Sequence, residues 1–254
     1  MSPAAPDRAF GIDIGGTGIK GGIVSLATGE LIGDRFRIDT PQPATPKAVT
    51  KTAGQVAAHF DYRGPVGITF PGVVKHGTVL TAANVDPGWV GESLVDLTTP
   101  VMPGAVTVLN DADAAGLAEA RFGAGRGRDG LVVMVTFGTG IGTALVHDGV
   151  LIPNAELGHI EVHGEDAEHR AAASAKDRKG LSWEQWAERA DEYLQKLEAL
   201  LSPELFIVGG GVSKKADKWV PRLHLKTELV VAQMLNNAGI AGAALAAVEG
   251  IEKS

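Results

Sequence analysis

Three glycine-rich turns, each at the end of an apolar run, constrain this chain more than any other feature. They are Asp13-Ile-Gly-Gly-Thr-Gly-Ile-Lys20, Phe137-Gly-Thr-Gly-Ile-Gly142 and Val208-Gly-Gly-Gly-Val-Ser213. Glycine has no Cβ, so backbone N–H groups in such turns can approach an anion closely. In the first turn Thr17 adds a hydroxyl donor and Lys20 a cation. A strand-like run follows each of the first two turns, which argues against both a dinucleotide-binding fingerprint and a Walker A loop, since those open a helix. The Gly-Lys-Ser/Thr ending of Walker A is also missing. One such turn could be an ordinary hairpin. Two, one per half of the chain, predict a phosphate chain gripped from both sides of a shared cleft. The third stands at the end of a buried strand and before an expected helix, where ligands collect in α/β sheets.

The hydrophobic pattern around the turns predicts an α/β protein. Phe10–Ile14, Ile19–Leu26 and Leu31–Ile38 read as a three-stranded antiparallel meander. A Pro-rich link leads to a helix over Pro46–Phe60, with Thr45 as N-cap and Pro46 at the first helical position. Val66–Phe70 and Val106–Leu109 read as buried strands separated by a loop-rich insertion, and Asp111–Phe122 as a helix with Asp111 at or near its cap. Leu131–Thr136 and Gly142–His147 flank the second turn, so strand–turn–strand units recur as a weak internal repeat. Ser182–Leu201 is strongly amphipathic, capped by Ser182 and stopped by Ser202-Pro203. Phe206–Val208 is a short buried strand, and Ala238–Val248 a helix of small residues.

Composition narrows the function classes. Glycine accounts for 34 of 254 residues, roughly twice the usual ~7%, yet 44% of the chain is hydrophobic, enough to bury a core rather than remain disordered. No cysteine is present, which excludes disulfides, thiol nucleophiles, iron–sulfur clusters and Cys-ligated zinc. Lys and Arg total 23 against 30 Asp and Glu, a net charge of −7, which argues against general nucleic-acid binding. Met1–Arg8 shows no secretory pattern. The most apolar stretch, Ala238–Val248, is about half the ~20 residues a membrane span needs. A cytoplasmic protein with no membrane or nucleic-acid partner is expected.

Two polar clusters complete the candidate chemistry. Asn110-Asp111 places a carboxylate at the end of an apolar strand, where it can cap a helix or act as a general base toward a substrate hydroxyl. Glu156-Leu-Gly-His159, with Glu161 close behind, can hydrogen-bond neighbouring sugar hydroxyls. Its spacing is a weak metal signal.

Together these segments resemble the ROK family of sugar kinases (repressors, open reading frames and kinases), over nearly the whole chain. The resemblance implies the actin/hexokinase-like (ribonuclease H-like) fold, a two-domain α/β sugar kinase with a cleft between a small and a large domain. It places the small domain at 1–109, completed by a C-terminal helix at 243–254, and the large domain at 110–242. Asp13–Lys20, with Gly15, Gly16, Thr17 and Gly18, is similar to the family's first phosphate loop. Gly138, Thr139 and Gly140 match its second, and Gly209, Gly210 and Gly211 its adenosine-side loop. Glu156 and His159 match the sugar-binding ExGH motif, and Asp111 the catalytic base that follows Asn110. Pro71-Gly72 matches a turn at the sugar pocket, and Asn84 with Gly88-Trp89 a sugar-contacting loop. The resemblance further implies Mg²⁺, with Asp13 orienting its water shell, and a homodimer.

The departure from the family pattern is informative. Typical members follow ExGH with a cysteine-rich zinc motif that ends in a sugar-binding glutamate. Here that segment reads Gly164-Glu-Asp-Ala-Glu-His-Arg-Ala-Ala-Ala-Ser174, which implies no zinc and puts Glu168 at the glutamate position, with Glu165 and Glu161 as competitors. The cysteine-free form, the small size and the run Gly209–Pro221 resemble the polyphosphate glucokinases and glucomannokinases of actinobacteria. Lys214, Lys215, Lys218 and Arg222 crowd that run, either as a solvated face or as a holder of a polyanion. The expected activity is phosphorylation of glucose, or mannose too, from inorganic polyphosphate and/or ATP. The alternatives are a strictly ATP-dependent kinase for another hexose and a non-catalytic sugar-binding regulator. No basic recognition helix precedes the first strand, which argues against a DNA-binding repressor.

Overall fold

The computed structural model describes residues 6–82 and 85–250. The chain divides into two compact units, residues 1–118 with 236–254, and residues 119–235.

The first unit is built on a five-stranded sheet of order β3-β2-β1-β4-β7. Its strands are β1 (Arg8–Ile14), β2 (Gly18–Ser25), β3 (Phe36–Asp39), β4 (Val66–Phe70) and β7 (Val106–Asn110). β1 pairs antiparallel with β2 and parallel with β4. Alternation along β1 assigns its two faces. Phe10, Ile12 and Ile14 join Val49, Ala53 and Val56 of helix α1 (Pro46–Ala58) in one core. The expected start of α1 is present, with the Thr45 hydroxyl accepting from the Ala48 amide. Gly11 and Gly67 lie on the opposite face, under helix α7 (Ala238–Glu249). A Cβ on Gly11 would sit 2.0 Å from the Ile240 carbonyl oxygen, and one on Gly67 1.7 Å from that of Ala243. Within α7, a Cβ on Gly242 would be 1.8 Å from the Ala114 oxygen. A mid-helix glycine costs about 1 kcal/mol relative to alanine, and this backbone-to-backbone contact is why it is needed. The small-residue helix and the glycines beneath it are one packing solution.

Two expectations for this unit change. The third strand begins at Phe36, not Leu31. Leu31 makes only an isolated bridge to Val24, and Gly33, at φ +83°, breaks the run. The loop-rich insertion contains a short hairpin of β5 (Val74–Lys75) and β6 (Thr78–Val79), and helix α2 (Leu94–Thr98). From it Trp89 is fully buried against Phe70, its indole N–H donating to the Ala44 carbonyl at 2.9 Å. Trp89 thus belongs to the core.

The second unit repeats the plan. Its sheet has the order β10-β9-β8-β13-β14, made of β8 (Leu131–Phe137), β9 (Ile141–His147), β10 (Val150–Ile152), β13 (Leu205–Gly210) and β14 (Glu228–Val231). β8 pairs antiparallel with β9 and parallel with β13, as β1 does with β2 and β4. The internal repeat is therefore a repeat of sheet topology. A separate hairpin, β11 (Glu161–Val162) with β12 (Glu165–Asp166), precedes the short helices α4 (Ala167–Ala171) and α5 (Ala173–Arg178). Helix α6 (Trp183–Leu201) buries Trp186, Ala190, Tyr193, Leu194 and Leu197 against Val133, Val135, Phe137, Phe206 and Val208. Its start is a capping box, with Ser182 accepting from the Gln185 amide and the Gln185 side chain accepting from the Ser182 amide. Ser182→Ala is expected to cost about 1 kcal/mol, measurable as a lower midpoint in urea unfolding. The segment after the third glycine turn is not an α-helix but 3₁₀ turns over Gly211–Lys218, broken at Lys215. Helix α3 (Asp111–Phe122) carries the chain from the first unit into the second. Among the described residues no helix is long and apolar enough to cross a membrane.

Candidate active site

The first glycine turn closes the β1–β2 hairpin after the Ile14–Ile19 pair. The Gly15 amide donates to the Gly18 carbonyl at 3.1 Å. Among the described residues the amides of Gly16 and Thr17 have no protein acceptor, and both residues are exposed. Arg37, which the sequence reading missed, braces this turn. Its guanidinium donates to the Thr17 carbonyl at 2.8 Å and pairs with Asp39 at 2.6 Å. It occupies the space a Cβ on Gly18 would need. The only sequence signal for Arg37 is its position opposite Lys20 in the β2–β3 register. Asp13 pairs with Lys20 at 2.8 Å and accepts from the Thr69 hydroxyl at 2.8 Å.

Asn110 and Asp111 stand where β7 passes into α3. Asn110 is the true cap. Its side-chain oxygen accepts from the amides of Ala112 and Asp113 at 2.7 and 3.1 Å. Its amide nitrogen donates to the Gly72 carbonyl at 3.1 Å, tying the Pro71-Gly72 turn to the same corner. Two amide hydrogens sit on that nitrogen, so one remains for a ligand. Asp111 lies exposed on the first helical turn and shares the Ala112 amide with Asn110, accepting from it at 2.8 Å. Gly88 sits in a 3₁₀ turn, its amide bonded to Asp86 at 2.8 Å. Asn84 lies outside the described residues.

In the second unit the second glycine turn is held by groups from later in the chain. The Gly138 amide donates to the Gly140 carbonyl at 2.9 Å. The Ser174 hydroxyl donates to the Thr139 carbonyl at 2.6 Å, and the Ser174 amide to the Gly138 carbonyl at 3.1 Å. The amides of Thr139 and Gly140 have no protein acceptor among the described residues. Glu168 accepts from the Ile141 amide at 2.9 Å, and a Cβ on Gly140 would lie 2.0 Å from its carboxylate. Of the three competing glutamates, Glu165 faces Lys179 at 3.3 Å and Glu161 lies exposed on β11. Glu168 is the one that reaches the turn. Gly210, at φ +82°, lets the third turn cross the second, since a Cβ there would sit 2.2 Å from the Phe137 carbonyl oxygen. Nothing lies within 4 Å of an added Cβ on Gly138 or Gly211, whereas one on Gly209 would meet the Met134 and Thr136 side chains at 3.0 and 3.4 Å.

Glu156, His159 and Glu168 form one polar group beside that turn. Burial, with the Glu168 charge, holds the Glu156 carboxyl above its ordinary value against the opposing pull of His159. The His159 Nδ1 lies 2.9 Å from the Asp166 carboxylate and its Nε2 3.9 Å from that of Glu156. The Asp166 bond, more than the other nearby carboxylates, raises the imidazole above its usual range although burial opposes this. Burial alone would raise Asp166. Its bonds from His159 and from the Glu168 amide outweigh that and leave its carboxyl below the usual value. Asp166 was also missed by sequence reasoning. Its signal is an Asp two residues before Glu168, the position of a short helix cap.

Beyond the third turn, Lys214, Lys215 and Lys218 are exposed and form no ion pair among the described residues. Arg222 is committed to Glu184 at 2.8 Å. The lysine segment is anchored by Trp219, fully buried, whose indole N–H donates to the Val212 carbonyl at 3.2 Å.

Known proteins resemble this chain over nearly its whole length. A polyphosphate glucokinase of Mycobacterium tuberculosis (strain CDC 1551 / Oshkosh) is 57% identical over 242 residues, covering 95% of this chain and 91% of that one. The crystal structure of an inorganic polyphosphate/ATP-glucomannokinase from Arthrobacter sp. strain KM superimposes with a TM-score of 0.90 at 52% identity, covering 96% of this chain and all of that one. A ROK family glucokinase from Streptomyces griseus, in complex with glucose and AMPPNP, gives a TM-score of 0.82 at 28% identity over 96% of this chain and all of that one. Residues 9–172 match the ROK family itself, and the chain belongs to that family.

Proposed function

We propose that this protein transfers a phosphoryl group from inorganic polyphosphate or ATP to the 6-hydroxyl of glucose. The observation that carries the reading is 57% identity over 95% of the chain to a polyphosphate glucokinase. In the first unit, Asp111 accepts the 6-hydroxyl proton while the sugar oxygen bonds to the terminal phosphorus and the bridging oxygen leaves with the shortened donor. Asn110 offers its remaining amide hydrogen to the sugar. In the second unit, Glu156, His159 and Glu168 take the ring hydroxyls. The amides of Gly16, Thr17, Thr139 and Gly140, which have no protein acceptor among the described residues, receive phosphate oxygens.

The residues fit Mg²⁺ in one way. Both Asp13 oxygens are engaged, by Lys20 and Thr69, yet a carboxylate has lone pairs to spare for metal-bound water. Asp13 would therefore orient the water shell of an ion carried on the donor phosphates. Bound there, Mg²⁺ would neutralise charge on the transferring group.

Inorganic polyphosphate is long and densely anionic, and the exposed ammonium groups of Lys214, Lys215 and Lys218 suit it by screened attraction. Lys214→Glu combined with Lys215→Glu is expected to raise KM for long polyphosphate about tenfold and KM for ATP far less. An equal effect on both donors would return these lysines to ordinary surface charge. The AMPPNP held by the Streptomyces griseus relative favours ATP as a donor too. The deciding assay is formation of glucose 6-phosphate with Mg²⁺, supplying polyphosphate and ATP separately. No product with either donor would refute the proposal.

A further inference from the structure

One side chain organises the polar group around His159. Asp166 uses one carboxylate oxygen on the His159 Nδ1 at 2.9 Å and the other to accept the Glu168 amide at 2.9 Å, which makes it the N-cap of α4. Glu168 in turn accepts from the Ile141 amide. Asp166 therefore sets both the ring of His159 and the helical turn from which Glu168 reaches the glycine loop. An ionised carboxylate only accepts hydrogen bonds, so the His159 proton is held on Nδ1 whether the ring is neutral or cationic. The proton that comes and goes is the one on Nε2, which faces Glu156 at 3.9 Å. The other charged or titratable groups around this pair are Glu168, His169 and the buried phenol of Tyr193.

We propose that Asp166 is a positioning residue for sugar binding: it locks the His159 proton on Nδ1 and presents Nε2, beside Glu156 and Glu168, to a ring hydroxyl of the hexose. The sugar half of this statement rests on the sugar-kinase reading above. The lock on His159 does not.

Asp166→Asn separates positioning from capping. Asparagine is as good an N-cap as aspartate, so its oxygen keeps the Glu168 amide. Its NH₂ then meets His159 Nδ1, which must accept, and the ring proton moves to Nε2. At alkaline pH, where the ring is neutral, two-bond ¹H–¹⁵N spectra should show a protonated Nδ1 for His159 in the native protein and a lone-pair Nδ1 in Asp166→Asn. The His159 signal is identified by its loss in His159→Gln. KM for glucose should rise about ten- to thirtyfold, the effect of one sugar hydroxyl left without its partner. KM for the donor and Tm should stay near native values. Asp166→Ala, which also loses the cap, should lower Tm as well. A protonated Nδ1 that persists in Asp166→Asn overturns the lock. A glucose KM that is unchanged although the proton has moved overturns the role in sugar binding and leaves Asp166 a helix cap. A native protein that phosphorylates no hexose sinks the sugar-kinase reading, while the spectra still decide the lock.

Discussion

Asp111→Ala is expected to lower kcat for glucose phosphorylation by about 10²-fold or more with either donor. The structure makes this a clean experiment. Asn110 accepts from the amides of both Ala112 and Asp113, so both keep an acceptor in the variant although Asp111 shares the Ala112 amide. The variant loses the Asp111 carboxylate's bond from the Ala112 amide at 2.8 Å and a favourable charge in the first helical turn, each worth about 1 kcal/mol or less. A large drop in turnover with little change in Tm is therefore a statement about chemistry. Near-native kcat in the folded variant would remove Asp111 from the role of base. Asn110→Ala is the contrasting substitution, because it removes the cap and the tie to Gly72 together.

Gly67→Ala should have the largest effect on folding. The added methyl would sit 1.7 Å from the Ala243 carbonyl oxygen, far inside contact distance, and its neighbour is helix backbone that no rotamer change can move. Relief requires α7 to lift from the sheet, which breaks the packing of Gly11 and Gly242 at the same time. A loss of about 3 kcal/mol or more is expected, beyond the usual range for a single added methyl in a core. Denaturant unfolding measures it. Gly138→Ala is the control: the added Cβ meets nothing within 4 Å, so stability should change by less than about 0.5 kcal/mol. Equal stability of the two variants would mean that α7 is not held by this contact.

The pair also shows what glycine can and cannot reveal in a sequence. Every glycine turn reads as an anion cradle, because the letter reports only a missing Cβ. The neighbour that needs the space belongs to another part of the chain. For Gly18 it is the Arg37 side chain, for Gly140 the Glu168 carboxylate and for Gly210 the Phe137 carbonyl. Arg37 and Asp166 were illegible for a related reason. A charged residue in a polar stretch carries no periodic signature, and its partner is known only once the hairpin or loop has closed. The early start assigned to the third strand failed because alternation continued through Gly33, where the backbone turns to positive φ.

What the sequence determined by itself is local or repeated. It includes the strand–turn–strand units, the helix starts at Thr45 and Ser182, and the motif residues that tie the chain to the ROK family. Those signals depend on spacing along the chain, on hydrogen bonds within one turn and on side-chain alternation, all written in consecutive residues. Tertiary structure decided that Asn110 caps α3 and leaves Asp111 exposed. It also brought Glu168, rather than Glu165 or Glu161, to the second glycine turn, paired Asp166 with His159 and committed Arg222 to Glu184, while Lys214, Lys215 and Lys218 form no ion pair among the described residues. In each case a polar group had more than one chemically adequate partner, and distance chose among them. Distances between residues far apart in the chain are set by packing, where a glycine under a helix can matter more than the motif it resembles.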